Sequence, residues 1–202
     1  KTKVTKFDDN GDGLFERTVT DATQTDANNV ITETISTVGK DGRLSSKTTR
    51  VTSADRKTVT VSRDVDGNNI TDESDVIVTA ADGSQTITTS EFHADGSLDS
   101  RVAKTSSADG LTVTTKTNQV GRKDGSGNDI FDRVVVDATS VNGTTGARTK
   151  TVTTTARPVS ATVAGKLLST DTLVTSADSL TRTETIDADG DGATDSVETD
   201  TT

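Results

Sequence analysis

The sequence predicts an all-β chain, an elongated array of antiparallel β-hairpin repeats with meander or solenoid-like topology. Three observations predict it. Thr and Val alternate through runs such as 57–61 and 134–136, which have the composition of strands. Asp-Gly and Asn-Gly pairs punctuate these runs and supply the positive φ that tight hairpins need. An acidic nine-residue frame also recurs with a period of about 60, starting at Asp8, Asp64, Asp124 and Asp187.

Composition narrows the choice to an array. Of 202 residues only 28% are hydrophobic and 2% aromatic, against roughly 45–50% apolar in a typical domain, so a globular core is excluded. Disordered chains are poor in β-branched residues; this one is rich in them. One hairpin buries too little to offset the entropy of ordering it, whereas stacked neighbours share a thin core.

Taken in order, the chain alternates two kinds of turn. Acidic loops are expected at Asp8–Glu16, Asp64–Asp72, Asp124–Asp132 and Asp187–Asp195. Between them lie simple turns at Asp41-Gly42-Arg43-Leu44, Asp95-Gly96-Ser97-Leu98 and Ala164-Gly165-Lys166-Leu167. A second series separates the hairpins: Asp26-Ala27-Asn28, Ala54-Asp55-Arg56, Ala81-Asp82-Gly83, Ala108-Asp109-Gly110, Asn142-Gly143 and Ala177-Asp178-Ser179. Its first four alanines recur every 27 residues. Each unit therefore reads strand, turn, strand, turn, and no segment has a helical period. Residues 1–140 form hairpin repeats with three acidic loops, 141–173 an irregular longer unit interrupted by Gly143, Gly146 and Pro158, and 174–202 a final repeat.

The acidic frame has the chemistry of a calcium site. Oxygen-bearing side chains at positions one, three, five and nine surround one point, with Gly at four and six folding the backbone tightly. The first loop offers Asp8, Asn10, Asp12 and Glu16 with the Leu14 carbonyl, and a register shift would bring in Asp9. The second offers Asp64, Asp66, Asn68 and Asp72 with Ile70, and is expected to be weaker because Asn69 replaces the second Gly. The third offers Asp124, Ser126, Asn128 and Asp132; with two formal charges among those four it is the weakest candidate, and Asp129 is an alternative ligand. The fourth, with Asp187, Asp189, Asp191 and Asp195 around Ala193, keeps four carboxylates and is the strongest. Asp, Asn and Gly also form turns without any ion, and the simple turns are read that way.

Net charge is −10. Nucleic acid and membrane insertion are therefore not expected, and a cation is the partner that fits. The chain lacks Cys, so disulfides, thiolate metal sites and catalytic thiols are excluded. Its single His, His93, precedes a turn, and no Ser sits in a nucleophile elbow, so no enzyme is expected. No apolar run approaches the roughly 20 residues that span a bilayer. The absence of Met predicts an excised or processed piece of a longer protein.

The pattern DxDGDGxxD resembles the calcium loops of integrin-type β-propeller repeats and the first nine positions of an EF-hand loop. More broadly, the Ala-Asp-Gly turns and Thr-rich strands, as in Ser107–Thr115 and His93–Val102, resemble the repetitive regions of very large secreted bacterial proteins, including calcium-dependent adhesins exported by type I secretion. The turns also resemble YD-type repeats without their Tyr. The resemblance implies an extracellular or cell-surface repeat whose bound calcium stiffens a stalk, fibre or surface layer, with adjacent repeats of the same chain as partners. Edge strands poor in Lys and Pro allow self-association. The alternative is a Thr-rich surface-binding module for ice or carbohydrate, since triplets such as Thr18-Val19-Thr20, Thr58-Val59-Thr60 and Thr151-Val152-Thr153 resemble the flat faces of ice-binding solenoids.

Overall fold

The computed structural model describes residues 1–156 and 165–202. In them the fold is all-β, with 14 antiparallel strands whose order in the sheet follows the chain. The expected turn at Ala164–Leu167 and the Pro158 interruption fall wholly or partly outside the described residues.

Contacts separate the chain into two units. The first, Lys1–Ala80 with Thr86–Arg101, contains β1 (Thr2–Phe7), β2 (Arg17–Thr25), β3 (Ile31–Gly39), β4 (Leu44–Thr52), β5 (Thr58–Asp64), β6 (Glu73–Thr79) and most of β7 (Gln85–Phe92). β8 (Leu98–Ser106) is divided between the units. The second, Ala81–Gln85 with Val102–Thr202, holds β9 (Thr112–Asn118), β10 (Arg133–Val141), β11 (Arg148–Ala156), β12 (Leu167–Thr175), β13 (Thr181–Asp187) and β14 (Ser196–Thr201).

Period-two alternation separates the side chains of each unit by face. Residues opposite one another on paired strands share a face. In the first unit one such row is Thr2, Ala22, Thr34, Thr49, Ser62 and Ser74, while the next, on the other face, is Lys3, Asp21, Ile35, Thr48, Arg63 and Glu73. The second unit repeats the division. Thr112, Ala138, Thr151, Thr172, Thr185 and Val197 form an uncharged row, and the row behind it carries Asp137 and Asp171 beside Val113, Val152 and Ile186. One face is thus mainly Thr and Ser in these rows, while the other mixes charged with apolar side chains.

Among the described residues no hydrophobic side chain is buried. The buried residues are Thr52, Asp64, Ser90, Asn118, Thr154 and Asp187. Three of these, Asp64, Asn118 and Asp187, are the last residues of β5, β9 and β13, where the acidic loops begin.

Candidate metal centres

Each loop folds by bonding its own side chains to its own amides. Asp8 Oδ1 accepts from the Gly11 N–H at 2.6 Å and Oδ2 from Gly13 at 2.8 Å. Asp64 takes Gly67 at 2.6 Å and Asn69 at 2.8 Å, and Asp187 takes Gly190 at 2.7 Å and Gly192 at 3.0 Å. Position three then accepts from the amide of position five: Asn10 from Asp12, Asp66 from Asn68, Asp189 from Asp191. Position five accepts from seven: Asp12 from Leu14, Asn68 from Ile70, Asp191 from Ala193. Position nine reaches back to the amide of position two, Glu16 to Asp9, Asp72 to Val65 and Asp195 to Ala188. Small polar side chains that mimic a backbone turn can all bend inward in this way.

Positive φ is needed at positions four and six, where Gly11, Gly67 and Gly190 and then Gly13, Asn69 and Gly192 lie between 68° and 88°. Asn69 is tolerated because Asn visits the left-handed region more easily than other side chains. The register is closed by the amide of position nine, which donates to the strand residue before position one: Glu16 to Phe7, Asp72 to Arg63, Asp195 to Ile186.

These frames gather acids. Carboxylate oxygens of Asp8, Asp12 and Glu16, of Asp64, Asp66 and Asp72, and of Asp187, Asp189 and Asp195 lie within 4.8 Å of one another in each group. The three groups could hold a metal ion. Asn10 and Asn68 complete the frame as neutral oxygens, and Leu14, Ile70 and Ala193 stand at position seven. Asp191 lies outside its group, although like Asp12 it accepts from the amide of position seven. Asp9 does not intrude by a register shift: it pairs with Arg17 at 3.1 Å. The Gly13 amide, then those of Gly11 and Asp12, hold the Asp8 carboxyl below the usual carboxylate range despite some desolvation.

Loops two and four are seated on the preceding hairpin. A Cβ built at Gly67 would lie 2.1 Å from the Leu44 carbonyl oxygen, and one at Gly190 2.4 Å from that of Leu167. Leu44 and Leu167 open β4 and β12, each next to a register shift, at Thr37/Val38 and Thr154/Thr155. This close approach accounts for the burial of Asp64 and Asp187, whereas Asp8 is not buried.

The third stretch is placed differently from the expectation. Asp132 occupies position nine: its amide donates to Thr117 and its Oδ2 accepts from Gln119 at 2.8 Å, as in the other loops. Position one, however, is Asn118, the last residue of β9 and fully buried. Gly121, at φ 60°, takes position four. Asp124, Ser126 and Asn128 fall in a small inserted hairpin, closed by the Lys123–Asp129 bridge, where Asp124 accepts from the amides of Ser126 and Asn128. The Asn128 side chain, more than any other group, holds the Asp124 carboxyl below its usual range. The fold therefore does not gather Asp124 with Asp132.

Sequence reasoning missed Asn118, Gly121 and Arg122. The signal was strand length, since Thr112–Asn118 spans seven residues like Thr58–Asp64 and Thr181–Asp187; the glycines at Gly125 and Gly127 imitated the frame and drew the register six residues too far. No protein-family model matches the chain, and neither a curated protein nor a solved structure matches it.

Proposed function

We propose that the chain is a calcium-stabilised structural repeat module of an extracellular bacterial surface protein of the adhesin type. The observation that carries this reading is the repetition of one hydrogen-bonded frame at three loops, each drawing three carboxylates to a point. Three like charges so close repel unless a cation lies between them. All the donors are oxygens, and hard oxygen sets in flexible loops favour calcium.

Lack of a core gives the ion its consequence. With no buried hydrophobic side chain among the described residues, the strands rely on backbone bonding and cross-strand pairs, so ion binding at a loop adds directly to folding free energy. Extracellular modules bind calcium at about 10⁻⁴–10⁻³ M, a range suited to a chain that stays loose before export and sets outside the cell. Adjacent repeats are the partners this reading names; of the two edge strands β14 lacks Lys and Pro, whereas β1 carries Lys3 and Lys6, charges that blunt an edge.

Circular dichroism melting with calcium and with excess chelator tests the proposal. The expected result is a higher, sharper transition in calcium; superimposable melts with and without the ion would overturn it.

A second reading, a surface-binding module for ice or carbohydrate, is favoured by one observation. The Thr and Ser rows gather on one face of each unit, away from most charges. Thermal hysteresis that disappears when Thr151 and Thr172 are replaced by Lys would support the ice form of it, and normal freezing of the parent chain would count against it.

A further inference from the structure

Loop three keeps the frame of the other loops but not their charge. Loop four places acids at positions one, three, five and nine; loops one and two place three among those positions. In the register the fold imposes on loop three, the same positions are Asn118, Val120, Arg122 and Asp132. One acid remains, and a cation stands at position five.

The hydrogen bonds show where that cation goes. Asn118 is fully buried, and its Oδ1 accepts from the Arg122 N–H at 3.0 Å while its Nδ2 donates to the Arg122 carbonyl at 2.8 Å. Both backbone groups of Arg122 are thus fixed by position one, with no charge buried there. The Ile130 amide, at position seven, donates to the same Arg122 carbonyl at 2.9 Å. Asp132 gives Oδ2 to the Gln119 amide, as position nine does in every loop, and its remaining oxygen, Oδ1, takes the Arg122 guanidinium. In loops one, two and four, position nine is part of the acidic group. Arg122 therefore meets the carboxylate that elsewhere faces the candidate ion.

We propose that Arg122 is the built-in cation of the third loop, which closes by a charge-assisted hydrogen bond and needs no metal. One positive charge balances the one acid left, just as a divalent ion suits the three or four acids of the other loops. A guanidinium stays protonated throughout the physiological range and cannot diffuse away. The β9–β10 hairpin then keeps its loop at any calcium concentration, and the chain takes three ions rather than four. The inference rests on the calcium reading for the other loops only in this stoichiometry; the role of Arg122 stands apart from it.

Amide hydrogen exchange on the full chain, in calcium and in chelator, tests both parts. In the parent chain the Gln119 and Ile130 amides should exchange equally slowly in the two conditions, while those of Val65 and Ala188 quicken about tenfold on chelation. Arg122→Gln should quicken Gln119 about tenfold in both conditions, with no rescue by calcium, and Asp132→Asn should do the same from the other side of the pair. Unchanged Gln119 exchange in Arg122→Gln, or parent Gln119 exchange that depends on calcium, would overturn the proposal. A titration of the parent chain should saturate at three ions and that of the combined Asn118→Asp, Val120→Asp, Arg122→Asp variant at four; four in the parent would also overturn it. No ion bound anywhere would overturn the calcium reading of loops one, two and four, with the Arg122 arm still decided by exchange in chelator.

Discussion

At the scale of single residues, two glycines that look alike in sequence differ in what surrounds them. Gly11 and Gly67 both occupy position four with φ 77°, but a Cβ at Gly11 would meet nothing within 4 Å while one at Gly67 would strike the Leu44 carbonyl. Gly11→Ala should cost only the left-handed backbone, about 1 kcal/mol. Gly67→Ala and Gly190→Ala add forced displacement of a neighbouring strand and should cost on the order of 2–4 kcal/mol. Chemical denaturation of the three variants in chelator checks this, since ion binding then contributes nothing. Equal losses at Gly11 and Gly67 would mean that the close seating on Leu44 has no energetic weight.

At the scale of elements, the turns opposite the acidic loops carry their own stabilising device. In Ser53-Ala54-Asp55, Ser107-Ala108-Asp109 and Ser176-Ala177-Asp178 the serine hydroxyl donates to the carboxylate at 2.5–2.6 Å. The same hydroxyl accepts from the first amide of the following strand, at Thr58, Thr112 and Thr181. The serine hydroxyls, followed by the amides of Lys57, Leu111 and Leu180, hold these three carboxyls below their ordinary range. A carboxyl whose folded pKa is depressed contributes stability above its unfolded value, near 3.9, and loses it as pH falls through the folded value. In chelator, the stability advantage of the parent chain over Asp109→Asn should therefore hold steady from neutral pH down to about 4 and shrink below it. A difference between the two that does not change on acidification would show that the turn carboxylate does not contribute.

At the scale of the whole chain, charge is the dominant unbalanced term. The net charge is −10, and three divalent ions would reduce it to −4; among the described residues no apolar core offsets the repulsion. In chelator, raising NaCl from about 0.05 to 0.5 M should raise the melting temperature by screening. With calcium bound the same change should do much less. A salt response independent of calcium would place the repulsion outside the loops.

The sequence by itself determined the strands, the turns and the three well-formed loops. Each of these rests on interactions between residues close in the chain: alternation sets a strand's faces, and the Asp8, Asp64 and Asp187 carboxylates bond amides three to five residues away. Such contacts are written directly in residue order. Tertiary structure decided what depends on strand register. It placed Leu44 and Leu167 against Gly67 and Gly190, more than 20 residues distant, and it aligned β9 with β10 so that Asn118, not Asp124, opens the third loop. Six inserted residues can be added at several points of a flexible loop at similar entropic cost. Only the pairing of Arg133 with Thr117 fixed where they went, and with it the meeting of Arg122 and Asp132.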